Sequence, residues 1–116
     1  MLFVCYPKCS TCKKAQAWLD ARDAKYDVRH IVEDNPTADE LRRWHAASGL
    51  PLRRFFNTSG MLYRDMALKD KLPTMSEDEM IDLLATNGML VKRPLLVLDD
   101  TVLVGFREKE WQAALE

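Results

Sequence analysis

The stretch Cys5–Leu19, "CYPKCSTCKKAQAWL", holds all three cysteines of the chain, at positions 5, 9 and 12. Its pattern changes midway. "LFVCY" (2–6) is a short apolar run stopped by Pro7, which predicts a buried strand. From Cys12 to about Arg22 the apolar residues Ala15, Trp18 and Leu19 fall at helical spacing, and Ser10 or Thr11 can cap that helix. Cys9-Ser-Thr-Cys12 thus sits where a strand turns into a helix. The first N–H groups of a helix have no partner within it and mark its positive end, so a thiolate at Cys9 is favoured there. Lys8, Lys13 and Lys14 add positive charge nearby. Cys12, one turn later, is within reach to form a disulfide. We therefore expect Cys9 to attack and Cys12 to resolve. Cys5 lies inside the strand and reads as a small buried hydrophobe.

Working outward, "KYDVRHIV" (25–32) alternates Tyr26, Val28 and His30 with polar residues and predicts a second strand. Strand, helix, strand with a right-handed crossover makes the two strands parallel. In a βαβ setting C-x-x-C reads as a dithiol redox site. Thr37 and Glu40 form a capping box for a helix ended by Gly49, with Leu41 and Trp44 on its buried stripe. "LPLRRFF" from Pro51 is a short helical turn and "NTSG" (57–60) a loop. "YRDMALKDKLPTM" predicts one short helix stopped before Pro73, and Ser76 with Glu79 caps another that ends near Asn87-Gly88. "RPLLVLDDTVLVGF" places two strands around Asp99-Asp100 as a tight hairpin, and "REKEWQAALE" closes the chain as a helix with Trp111 and Leu115 on one face. The order is βαβ, several helices, then ββα. That is an α/β thioredoxin-like fold: a four-stranded mixed sheet with a helical insert at about 36–88, in one domain spanning 1–116.

The bulk numbers fit one such domain. The chain has 116 residues, 47% hydrophobic and 30% charged, with a net charge of −1. Without a basic excess, direct nucleic-acid binding is not expected. No apolar run approaches the roughly 20 residues of a membrane span. The N-terminus shows neither a basic n-region nor a small-residue cleavage site, so a cytoplasmic location is expected. There thiols stay reduced, and closely spaced cysteines point to redox or metal chemistry more than to a structural bridge. The three tryptophans and six methionines read as core or half-buried packing.

Two metal readings compete with the dithiol. Cys5-x3-Cys9-x2-Cys12 has the spacing of radical-SAM iron–sulfur ligands, but this length cannot build the large barrel of those enzymes, and a strand interior turns Cys5 into the core. His30 or His45 could complete a zinc site in principle, though neither has a partner at ligand-like spacing. We expect no metal and no tightly bound cofactor. Pro94 in "LVKRPLLV" (90–97) opens a strand, where proline is tolerated. In this fold the residue facing the dithiol commonly precedes a cis-proline, so a cis Arg93–Pro94 bond is expected, with the guanidinium aimed at Cys9. On periodicity alone Arg93 is a surface residue at a strand start.

"YPKCSTCKKAQAWL", "HIVEDNPTADEL", "FFNTSGMLYRD", "LATNGMLVKRPLLV" and "VGFREKEW" together resemble the arsenate reductase-like family, in particular its Spx/MgsR branch. The resemblance covers essentially the whole chain and implies the same thioredoxin-like fold. It implies that Cys9 is the nucleophile, that Cys12 is the second cysteine of the redox-switch branch, and that Arg93 binds an oxyanion. Arg107 lies near the reductases' last oxyanion arginine, with the spacing shifted by a residue. Ser10 and Thr11, between the cysteines, complete the expected substrate-binding set. The departure is Asn57, where reductases carry a further oxyanion-binding arginine. Two functions follow as expectations. One is a thiol–disulfide oxidoreductase, with arsenate as a candidate oxyanion substrate and glutathione with glutaredoxin, or thioredoxin, as electron donor. The other is a redox-sensing regulator that binds the C-terminal domain of the RNA polymerase α subunit, although Spx chains usually extend further past the last helix.

Overall fold

A computed structural model describes residues 1–116. Four strands form one mixed sheet: β1 (Leu2–Cys5), β2 (Asp27–His30), β3 (Leu95–Val97) and β4 (Val102–Val104), in the spatial order β2-β1-β3-β4. β1 and β2 run parallel, pairing Leu2 with Asp27 and Cys5 with His30. β3 is antiparallel to both β1 and β4. The expected sheet and order of elements are therefore present.

Side chains alternate across a strand, and that alternation builds two cores on one sheet. Phe3 and Cys5 of β1 and Leu96 of β3 face one side, where they meet Cys12, Ala15, Trp18 and Leu19 of α1 (Ser10–Ala21) and Trp111 of α6 (Glu108–Leu115). Trp111 is fully buried, packs edge-on against Phe3, Trp18 and Phe106, and donates its indole N–H to the Gly105 carbonyl at 3.0 Å. Val4, Leu95, Val102 and Val104 face the other side. There they meet the insert: α2 (Ala38–Ser48), a 3-10 turn (Leu52–Phe55), α3 (Met61–Asp65), α4 (Leu68–Lys71) and α5 (Glu77–Thr86).

Both expected capping boxes are formed. Thr37 and Glu40 start α2, Ser76 and Glu79 start α5, and Gly49 ends α2 in the left-handed conformation at φ 68°. Four expectations are corrected. The α1 helix begins at Ser10, and its cap is Cys9 rather than Ser10 or Thr11. The segment 63–75 is not one helix: the chain breaks between α3 and α4 at Ala67, which takes a left-handed φ of 54°, and Pro73 lies within a further 3-10 turn (Leu72–Thr74). The break seats both Leu68 and Leu72 in the core, which outweighs the helical preference of the intervening residues. β2 is only four residues long and is an edge strand, so Val28 points outward at 56% exposure while Ile31, just past the strand, is buried. Met61, finally, is 69% exposed rather than packed.

Arg29 of β2 ties the sheet edge to the insert. Its guanidinium makes a two-pronged ion pair with Glu40, at 2.5 and 2.8 Å, and donates to the carbonyls of Asp34 and Asn35. No helix is long and apolar enough to cross a membrane.

Candidate functional site

After β1, a turn closes with the Cys9 N–H donating to the Tyr6 carbonyl at 3.0 Å, and this sets Cys9 at the mouth of α1. Its backbone is extended (φ −88°, ψ 119°), as an N-cap requires, and its Sγ accepts the N–H of Cys12 at 3.4 Å. A thiolate is the better acceptor, so the helix end favours the charged form. Arg93 enters the cleft from just before β3, and the Arg93–Pro94 bond is cis, as expected. The guanidinium lies over the Tyr6 ring, 5.2 Å from its centroid, and donates to the Met89 carbonyl at 3.3 Å.

The three thiols have different protonation tendencies. Burial raises the Cys9 thiol, but the Cys12 N–H, the Cys12 thiol and the hydrogen bond and charge of Arg93 outweigh it, so Cys9 lies below the ordinary thiol range. Cys12 is pushed up to about 12, first by burial and then by the bond and charge of Cys9, against a hydrogen bond from the Tyr6 N–H at 3.5 Å. Burial and the charge of Cys9 also raise Cys5. Arg93 supplies positive charge that lowers Cys9, while Lys8, Lys13 and Lys14 are exposed and Lys8 also lines the cleft. All three cysteines are free, with Cys9 half-buried and the other two buried.

The cleft around Cys9 has a volume of about 510 Å³. Lys8, Ser10 and Thr11 flank the thiol, Lys92 and Arg93 form one wall, and Asn57 to Leu62 form the lip contributed by the insert, without Thr58. Asn57 is only 8% exposed, and its Oδ1 accepts the Ser59 hydroxyl at 3.3 Å. A Cβ at Gly60 would stand 2.7 Å from the Asn57 amide nitrogen, so glycine lets the lip fold over that side chain. Cys9, Ser10, Thr11 and Arg93 thus share one cleft. Arg107 does not: it lines an adjoining recess with Thr11, Arg54 and Lys92. No group of three or more His, Cys, Asp or Glu side chains is placed to hold a metal ion. His30 uses its Nδ1 to accept the N–H groups of Val32 and Glu33, each at 3.1 Å.

Sequence reasoning missed Tyr6, Met89 and Lys92. Tyr6 and Met89 act largely through main-chain groups, which no residue-type pattern signals, and Lys92 enters the cleft only through the fold.

The ArsC family model matches residues 5–114. This chain belongs to the ArsC family. It is 48% identical over 112 residues to the uncharacterized protein YusI of Bacillus subtilis, covering 97% of this chain and 95% of YusI. A crystal structure of an ArsC family related protein from Bacteroides fragilis superposes with a TM-score of 0.95 at 56% identity, covering 97% of this chain and 94% of the other. A possible arsenate reductase from Streptococcus mutans gives 0.87 at 46% identity, covering 96% of each chain. The regulatory protein MgsR of B. subtilis is 26% identical over 110 residues, covering 95% of this chain and 86% of MgsR. The resemblance drawn from the sequence therefore holds, for the family and for the fold. The relatives include both arsenate reductases and regulators.

Proposed function

We propose that this ArsC family member is a thiol–disulfide oxidoreductase that works through Cys9 and Cys12. The observation that carries the proposal is the pairing, at one helix end, of a thiol pulled down with a thiol pushed up that lies within hydrogen-bonding reach of it. Cys9 thiolate attacks the sulfur of a disulfide substrate. The substrate S–S bond breaks, one thiol leaves, and a mixed disulfide forms. That step removes the negative charge of Cys9, which helps to hold the proton on Cys12. Cys12 then loses its proton more readily and attacks Cys9 Sγ. The mixed disulfide breaks, the second thiol leaves, and a Cys9–Cys12 disulfide remains, with two electrons delivered. Arsenate is the candidate oxyanion. Cys9 displaces a hydroxyl as water to give a thiol adduct beside Arg93, and attack by Cys12 on sulfur releases arsenite. Arg107, Ser10 and Thr11 extend the substrate-binding set of this reading. Glutathione with glutaredoxin, or thioredoxin, restores the dithiol, in the reducing cytoplasm and with no tightly bound cofactor.

The test is to equilibrate the protein in glutathione redox buffers, trap free thiols and locate disulfides by peptide mass spectrometry. We expect a Cys9–Cys12 bond with a potential of about −220 to −320 mV. We expect Cys12→Ser to accumulate a mixed disulfide on Cys9, and Cys9→Ser to be inert. If Cys9 and Cys12 never pair, the dithiol mechanism is wrong.

A second reading is favoured by the likeness to MgsR and by the buried Asn57 where the reductases of the family carry an arginine. In it the same dithiol switches binding to the C-terminal domain of the RNA polymerase α subunit, with no direct nucleic-acid contact. Pull-down of that domain by oxidised and reduced protein, beside arsenate turnover, separates the two. Redox-dependent capture without turnover selects the regulator, and turnover without capture selects the enzyme.

A further inference from the structure

Lys92 also lines a second cavity, of about 460 Å³, to which Cys9 does not contribute. Four cations surround it: Arg53 and Arg54 from the 3-10 turn, Lys69 from α4, and Lys92. No acidic side chain lines it, although the chain carries 18 Asp and Glu against 17 Lys and Arg. None of the four cations is in an ion pair; the ion-paired basic side chains are those of Arg29, Arg42 and His45. The floor is apolar. Phe56, Leu72 and Met80 are buried there, and the Tyr63 ring lies tilted against Phe56 with centroids 6.5 Å apart.

The walls are pinned in place. The Lys92 N–H donates to the Phe55 carbonyl at 2.7 Å, the Asn57 N–H donates to the Leu90 carbonyl at 2.8 Å, and Phe56 bridges to Val91. Like charges gathered over a low-dielectric floor repel one another and focus their field into the cavity, which an anion relieves. Its volume is that of a small-molecule pocket, with apolar walls and a few converging polar groups. The two guanidinium forks suit phosphate, sulfonate or carboxylate.

We propose that this cavity binds a small aromatic polyanion, its flat ring system against Phe56, Tyr63, Leu72 and Met80 and its anionic groups held by Arg53, Arg54, Lys69 and Lys92. The cavity shares Lys92 with the thiol cleft, but Cys9 is not among its lining residues, and the proposal does not depend on the redox reading.

The experiment titrates the full chain with adenosine 5′-diphosphate, naphthalene-1,5-disulfonate and benzene-1,3,5-tricarboxylate at physiological salt, following calorimetry and amide shifts. Pyrophosphate and adenosine are the controls for charge alone and ring alone. We expect at least one of the three to bind saturably, one molecule per chain, roughly tenfold or more tighter than either control. We expect amide shifts at Phe56, Tyr63 and Leu72. The double variant Arg54→Glu, Lys69→Glu should weaken binding by roughly tenfold or more, whereas Lys13→Glu, Lys14→Glu on α1, an equal change of charge, should leave it intact. Cys9→Ser should also bind normally. Thermal melts identify any variant that fails to fold, and single Arg54→Ala and Lys69→Ala variants then replace it. The proposal is overturned if none of the three binds saturably, if pyrophosphate binds as tightly as the best of them, or if the α1 variant loses as much affinity as the cavity variant.

Discussion

Arg93 holds its place through a carbonyl and an aromatic face, and from there acts on a thiol. Cys9 is partly buried, and burial by itself would raise it and leave little thiolate at neutral pH. The Cys12 N–H belongs to the backbone, so the adjustable parts of the balance are the Cys12 thiol and Arg93. Arg93→Ala should move the midpoint of Cys9 alkylation upward and slow its reaction with iodoacetamide at pH 7 by about threefold or more. Arg93→Lys keeps the charge without the planar fork and should fall between the two. An unchanged alkylation profile in Arg93→Ala would show that the helix end and the Cys12 thiol hold the thiolate without Arg93. Cys12, at about 12, should stay unmodified through the same pH range. In the proposed mechanism, that protection would let Cys9 attack while Cys12 waits.

At the scale of elements, the close approach of the insert's last turn to the end of β2 is the contact with least tolerance. Gly88 begins a 3-10 turn (Gly88–Leu90) whose neighbour Asn87 caps it through Oδ1 at 2.9 Å. A Cβ at Gly88 would lie 1.9 Å from the Ile31 carbonyl oxygen, which is backbone and cannot swing aside. Gly88→Ala should therefore force the turn off the strand end. We expect a loss of about 2 kcal/mol or more, seen as a Tm lower by roughly 8 °C or more. A melt within two or three degrees of the parent would mean that the turn relaxes freely, in the sense of ~1 kcal/mol or less. The same contrast between local and distant causes explains what could be read from the chain. The capping boxes at Thr37 and Ser76, the Gly49 stop and the hairpin at Asp99-Asp100 were legible because each is settled by residues within a few positions. The C-x-x-C was legible for the same reason, since the strand and helix that present it adjoin it. The break at Ala67 and the outward Val28 were not, because the core seats of Leu68 and Leu72 and the edge position of β2 exist only after assembly. Arg93 was reached from the expected fold type and the family resemblance rather than from any local spacing, and Asn57 gave no sign that it would be buried in the lip of the cleft.

For the molecule as a whole, the sheet and the insert are held together by apolar burial and by one charged clamp, Arg29 with Glu40. The side chains are 13% and 21% exposed, so water screens this pair less than it does the surface pairs of Arg42. The hydrogen bonds of Arg29 lower Glu40 from 4.5 to about 2, against burial and with help from Thr37, while Arg29 itself is raised. The sign of the pH dependence follows. A carboxyl lowered by folding contributes its full stability above the unfolded value near 4.5 and loses it as pH falls through about 2. Glu40→Gln keeps an acceptor for the Thr37 N–H and so preserves the capping box, but it removes the charge facing Arg29. Urea unfolding should show the variant less stable by about 1–3 kcal/mol at pH 7. That gap should narrow between pH 4.5 and 2 as the parent carboxyl takes up its proton. A gap that stayed constant down to pH 2 would place the loss in packing or capping rather than in the clamp. The Cys9 cleft takes its two walls from the sheet side and the insert, with Cys9 and Arg93 on one and the lip from Asn57 on the other. Loosening the clamp should therefore also slow Cys9–Cys12 disulfide formation in a fixed redox buffer at pH 7, even though Glu40 is not among the residues lining that cleft.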